Sequence, residues 1–166
     1  VTEEIVIYHL IYLIKEMITI QRTNPENSDF IQLIIELDKD IELRDGEEHL
    51  FYNQFNKTDS IKHAVVAYNG NIPVGCGAFK AYLGTIAEIK RMFVHPEHRG
   101  KNVATEILGE LESWAKEILF SDCILETGRR YPEAIGLYKK NGYAVIANYA
   151  QYEGREDSVC FSKSIS

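Results

Sequence analysis

The chain is short of cysteine and proline, with three and four respectively among its 166 residues. Cys76, Cys123 and Cys160 lie far apart, so they form no disulfide framework. No Cys-x-x-Cys pair marks a zinc or thiol-redox site. Each lies in an apolar or strand-like stretch and reads as a small buried hydrophobe, which fits a reducing cytoplasm. Basic residues are outnumbered, 18 Lys and Arg against 25 Asp and Glu, for a net charge of −7. That balance argues against nucleic acid as a partner, because phosphates need a basic face. The most apolar run, Ile5 to Ile14, falls short of the ~20 residues that cross a bilayer. Glu3 and Glu4 precede it and no small-residue cleavage site follows, so neither a membrane partner nor a secretory signal is expected. No internal repeat, Walker motif or dinucleotide Gly-x-Gly-x-x-Gly is present.

What remains is an ordinary globular mixture, 45% apolar and 26% charged, enough for one domain with its own core. A fresh strand-like segment begins after Met17. Residues 1–16 are therefore expected to be an extension, packing on the domain or on a second copy in a homodimer, and 17–166 the domain proper. A first core element at 1–16 is the alternative.

Ile18 to Thr23 alternates as a strand does. Phe30, Leu33, Ile34 and Leu37 recur at helical spacing from Asp29 to about Ile41, and a second helix is expected from Glu47 to about Phe55. Strands follow at 62–68, 72–82 and 85–94, the first two joined by the turn Asn69-Gly70-Asn71. A helix from Lys101 to about Leu119 carries Val103, Ile107, Leu111, Trp114 and Ile118 on one face. Cys123 to Leu125 reads as a short buried strand. Pro132 opens a helix that Asn141-Gly142 closes, and strands at 143–146 and 158–162 complete the chain. Antiparallel strands followed by a β-α-β crossover predict a mixed sheet covered by helices.

Arg99-Gly100-Lys101-Asn102-Val103-Ala104 follows a strand and opens a long helix. Such a junction gathers unpaired N–H groups at the positive end of a helix dipole, a setting suited to a diphosphate. Taken alone, the segment fits a plain loop-to-helix junction with surface basic residues equally well.

Glu88-Ile89-Lys90-Arg91-Met92-Phe93-Val94 followed by His95-Pro96-Glu97-His98-Arg99-Gly100-Lys101-Asn102-Val103-Ala104 resembles the acyl-CoA signature of the GNAT superfamily of N-acetyltransferases. In that signature an apolar strand precedes Gln/Arg-x-x-Gly-x-Gly/Ala at a helix start. Leu125-Glu126-Thr127-Gly128, and then Pro132 through Tyr138 to Gly142-Tyr143, resemble the family's second half, where an Ala-x-x-x-Tyr helix ends at Gly-Tyr/Phe. The resemblance covers about residues 17–166. It implies a mixed α/β fold with a mostly antiparallel central sheet of six to seven strands, flanked by about four helices. It implies acetyl-CoA as co-substrate, no metal, and a small-molecule or peptide primary amine as acceptor.

Position by position, the resemblance places the pantetheine arm along the backbone of Met92, Phe93 and Val94. The pyrophosphate falls on the N–H groups of Arg99, Gly100, Lys101, Asn102, Val103 and Ala104. Asn102 departs from the motif's usual Gly, although Asn tolerates unusual φ and caps helices well. This departure keeps open a second reading, a sensor module that holds acyl-CoA without turnover. Tyr138, one turn after Ala134, is implied as the acid that protonates the leaving thiolate, where core packing is the plainer account. Glu88 is implied as the general base, against the alternative of an exposed strand carboxylate paired with a neighbouring Lys or Arg. Glu126 and the Asp29/Asp38/Asp40 group are weaker candidates for acceptor binding. Arg44, Phe51 and Tyr52 are expected near the acceptor pocket. His95 and His98 have no third partner for a metal and read as polar loop residues.

Overall fold

The computed structural model describes residues 4–7 and 17–166. Residues 4–7 are helical with Ile5, Val6 and Ile7 exposed. The rest of the expected extension, 1–3 and 8–16, lies outside the described residues. The chain then runs β1 (Ile18–Thr23), α1 (Ser28–Asp45), a 3₁₀ turn, α2 (His49–Asn53), β2 (His63–Asn69), β3 (Ile72–Leu83) and β4 (Ile86–Val94). After a second 3₁₀ turn come α3 (Val103–Glu117), β5 (Asp122–Gly128), α4 (Pro132–Lys140), β6 (Ala144–Ile146) and β7 (Ser158–Ser164). Seven strands form one sheet in the order β1-β2-β3-β4-β5-β7-β6. All neighbours are antiparallel except β4 and β5.

Local chemistry accounts for the boundaries. The Asn27 side chain accepts from the N–H groups of Asp29 and Phe30 and so starts α1, as an N-cap does. That helix continues to Asp45, past the expected stop near Ile41, and breaks at Gly46 with φ 56°. The expected second helix is a 3₁₀ turn over Gly46–Glu48 followed by the five residues of α2. Pro132 opens α4, whose C-cap is Asn141. On α3, Val103, Ile107 and Leu111 are buried as the spacing predicts, joined by Leu108 and Ala115, whereas Ile118 is the C-cap and part-exposed.

The sheet has a core on each face. On one side Val65, Phe79, Ile89, Leu125 and Phe161 meet α3 and Tyr138 of α4. On the other, Ala64, Val66, Cys76 and Phe93 meet Phe30, Leu33 and Leu37 of α1. Helix α3 approaches β3 closely, because a Cβ at Gly77 would lie 2.7 Å from Met92 Sδ and 2.8 Å from Ile107 Cγ2. Glycine there lets Ile107 and Leu111 of the helix pack onto β3 beside Met92. All three cysteines are buried free thiols. No helix among the described residues is long and apolar enough to cross a membrane.

Candidate active site

Two irregularities in β4 make the site. The register against β3 shifts so that Gly77 faces both Arg91 and Met92, and Arg91 takes φ 60°. This is a β-bulge, which bends a strand and re-aims its side chains. The second irregularity lies on the other edge, where β4 and β5 pair only from Ile86–Glu88 to Asp122–Ile124. Beyond Glu88 the two parallel strands diverge. A cleft of about 620 Å³ occupies the gap, and the β4 backbone along one wall has no strand across from it.

The cleft leads to the start of α3. Gly100 has φ 73° and Asn102 has φ 68°. Left-handed residues alternating in this way turn successive N–H groups inward as an anion-binding nest. No atom lies within 4 Å of where a Gly100 side chain would begin, so a ligand can approach the backbone. The first N–H groups of α3 have no partner within the helix, and the dipole adds its positive end. The Arg99 Nε donates to the Val94 carbonyl at 2.8 Å and its Nη2 lies 3.5 Å from Asp40 Oδ2 of α1, which pins the loop beside the cradle. Asn102 is the N-cap residue, yet its side chain makes no capping bond. It is there for its backbone: Asn accepts αL far more readily than a β-branched residue does. Asn141 holds the neighbouring helix end by donating to Thr105 Oγ1 and to the Leu137 carbonyl.

All nine sequence-predicted cofactor positions, 92–94 and 99–104, line this cleft, and Tyr138 lines it too. The Tyr138 ring is buried against Tyr143 and Phe161. Burial, and secondarily the negative charge of Glu126, hold its phenol above the usual value, so it remains protonated. Arg44 and Tyr52 line the cleft as expected; Phe51 stacks beneath the Arg155 guanidinium instead.

Glu88 is brought elsewhere. It is buried rather than exposed, and it does not line the cleft. The Tyr149 hydroxyl donates to its Oε1 at 2.9 Å, and Lys80 and Lys90 lie 3.8 and 3.7 Å from its carboxylate. Its carboxylate thus has two lysines and a phenol as neighbours, the Lys pairing of the alternative given above but buried where that alternative expected exposure. Tyr149 is a partner that lies 61 residues away in sequence.

Glu126, which the sequence ranks as a weaker candidate, lies in the cleft wall on β5. One carboxylate oxygen, Oε1, is buried without a hydrogen-bond partner. Desolvation, partly offset by a hydrogen bond from Ser158 and by the charge of Lys90, pushes its pKa up to about 7. The Ser158 hydroxyl lies 2.8 Å from the Tyr52 hydroxyl of α2. Pairing between Leu125 and Phe161 puts Glu126 opposite Cys160, on the α1 side of the sheet. No cluster of His, Cys, Asp or Glu among the described residues could hold a metal ion.

A sheet splayed beside a bulged strand, ending in an anion cradle at a helix start, is a site shaped for an extended ligand that carries a pyrophosphate. The chain belongs to the acetyltransferase (GNAT) family, whose model matches residues 28–143. It is 35% identical over 138 residues to an IAA acetyltransferase of Azospirillum brasilense, covering 81% of this chain and 90% of that protein. A Klebsiella pneumoniae structure described as an acyl-CoA N-acyltransferase superposes with a TM-score of 0.76 at 30% identity, over 90% of this chain and 99% of that one. The fold is also that of a Thermoplasma acidophilum N-acetyltransferase solved with coenzyme A, with a TM-score of 0.64 at 19% identity over 89% and 99% of the two chains.

Proposed function

We propose that the protein transfers the acetyl group of acetyl-CoA directly to a primary amine of a small molecule, amino acid derivative or peptide. The observation that carries this reading is the continuity of the cleft from the α3 cradle, along the open edge of β4, to Tyr138 and Glu126. The cradle fits a diphosphate, and the unpaired β4 edge fits the amide groups of a pantetheine arm. Acetyl-CoA supplies an acetyl group already activated as a thioester. The chain's own work is to align it, to polarise its carbonyl with a backbone N–H near Phe93 or Val94, and to manage two protons.

An alkylamine is mostly protonated at neutral pH and attacks only after losing a proton. Glu126 takes that proton, in place of Glu88. Its raised pKa matches the working pH, where a general base is most effective. Glu88 instead fixes Lys80, Lys90 and Tyr149 on the acceptor side. As the C–N bond forms and the C–S bond breaks, Tyr138 gives its proton to the departing thiolate and regains one from the nitrogen, which sheds a proton on becoming an amide; burial keeps the phenol protonated before the step. Asn102 already holds the left-handed conformation that the motif needs, which supports acetyl-CoA binding at the cradle, and amine-dependent thiol release separates an enzyme from a sensor that only holds acyl-CoA. Three buried free thiols fit a reducing compartment, the cytoplasm.

The test is thiol release from acetyl-CoA with a panel of amines, alongside thermal denaturation with acetyl-CoA. Binding to the native state alone raises Tm, and a CoA fragment lacking the pyrophosphate should raise it far less. No Tm change at millimolar acetyl-CoA refutes the cofactor site. A Tm rise with no amine-dependent thiol release refutes the amine reading.

A further inference from the structure

Arg91 has no part in the chemistry proposed so far, yet the fold holds it in the cleft under two separate strains. The β4 bulge gives it φ 60°, a region that non-glycine residues occupy at a cost and that clusters at functional sites. Its guanidinium is also buried, with 6% of the residue exposed. Nη2 donates to Asp38 Oδ1 of α1 at 2.5 Å, which fixes the head on the α1 side of the sheet. Nε and Nη1 are buried and have no acceptor. Three of the five guanidinium hydrogens are therefore unused. A buried ionised donor without an acceptor bears its full desolvation penalty.

The surrounding charges narrow the partner. Asp38 is about half exposed and neutralises Arg91 on one edge only. Lys80 and Lys90 share Glu88. Glu126 faces the cleft from β5, across the splay from Arg91 on β4. With these carboxylates present, the local charge is nearly balanced, so the site suits a single negative charge better than a phosphate dianion. Phosphates already have the α3 cradle. A carboxylate supplies acceptor oxygens for the idle N–H groups and carries one charge.

We propose that Arg91 receives a carboxylate of the acceptor, so that the acceptor is an amine that also bears a carboxylate, such as an amino acid or a close derivative. This rests on the amine reading above. An acceptor held by its carboxylate at β4 spans the splay and presents its ammonium group to Glu126 on β5. Arg91 is then the residue that sets specificity, and the β4 bulge is the device that aims it.

The test uses the full chain with saturating acetyl-CoA and matched pairs of amines, each free amino acid against its carboxamide, followed by thiol release and mass spectrometry. Free acids should exceed their amides in kcat/KM by about 10- to 10²-fold, the range that one hydrogen bond to a charged group contributes. In Arg91→Lys and Arg91→Met the ratio of kcat/KM for free acid over amide should shrink toward one through a rise in KM for the acids. Should those variants not fold, wild-type Tm in the presence of CoA reads the same contact, and free acids should raise it where amides do not. Equal turnover of acid and amide by the wild type overturns the inference and leaves the amine reading intact. A raised KM for acetyl-CoA in Arg91→Lys, with selectivity retained, overturns it by giving the guanidinium to the cofactor. Acetylation of no amine in either series overturns both.

Discussion

Replacing Glu126 with Gln should stabilise the protein while crippling it. Burial raises the Glu126 pKa from 4.5 to about 7, so between those values the native state holds a proton that the unfolded chain has released. Wherever the native state binds more protons, stability falls as pH rises. Below pH ~4.5 both states are protonated and the burden is absent; above pH ~7 both are ionised and it is complete. The shift spans about 2.5 pK units between the two values, which at about 1.4 kcal/mol per unit is roughly 3 kcal/mol at its upper limit. Gln cannot ionise and keeps the shape of the side chain. Its amide brings buried donors that lack partners, and these take back about 1 kcal/mol or more.

The net expectation is therefore a gain of about 1–2 kcal/mol at pH 8, or roughly 2–8 °C in Tm for a domain of this size. At pH 4 the gain should vanish or reverse. The assay is thermal denaturation of both proteins across pH 4–8, with thiol release measured at pH 8. Wild-type kcat should rise with pH through about 7 and level off, and the variant should lose roughly 10²-fold or more of kcat, the scale of a general base. A Tm difference that stays constant with pH refutes the ionisation argument. Retained kcat at pH 8 removes Glu126 from the chemistry, whatever happens to stability.

Tyr138→Phe keeps the ring packed against Tyr143 and Phe161 and removes the hydroxyl, so kcat should fall about 10- to 10³-fold with the acetyl-CoA Tm shift retained; unchanged kcat discards the acid role. At Asn102, with φ 68°, Asn102→Gly should preserve acetyl-CoA binding and stability to within about 1 kcal/mol, whereas Asn102→Val should lose more than that along with much of the affinity; equal behaviour of the two would show that αL geometry is not what the position requires. A chain starting at Met17 should stay folded and bind acetyl-CoA, with any change in oligomeric state read by light scattering; aggregation would place residues 1–16 in the core or in an obligate interface.

The parts of the site that were legible in the sequence are those that local backbone geometry makes. The cradle at 99–104 and the Pro132-to-Gly142 helix each draw their signal from consecutive residues, and they lie where that signal puts them. Seven strands were likewise readable from alternation and turn residues. The boundaries of α1 and α2 were less so, because the break at Gly46 competes with charged residues that tolerate either state. The surroundings of the carboxylates were only partly legible: pairing with a neighbouring Lys was one of the two readings of Glu88, and Glu126 was a weaker candidate. Glu88 and Glu126 are both strand acids, and what separates them is long-range: Tyr149 and Lys80 reach one, while the other is left facing the gap. The one sequence sign was that Glu126 stands just before the Thr127-Gly128 strand end, where a side chain is freest to border a cleft.

The bulge at Arg91 joins these threads. A regular β4 would place Lys90 and Arg91 on opposite faces, since side chains alternate along a strand. It would also keep Arg91 out of the contact with Asp38 that it makes here. By inserting one residue opposite Gly77, the bulge bends β4 away from β5 and turns Arg91 toward α1. The same irregularity thus lies beside the gap between β4 and β5 and sets a guanidinium among the residues that line the cleft. Gly77 takes part in both effects, because its missing side chain leaves room for Met92 and Ile107 beneath the bulge. Arg91 occupies a conformation that glycine would adopt with less strain. Glycine would serve the bulge as well, so what Arg91 adds to it is the guanidinium that reaches Asp38.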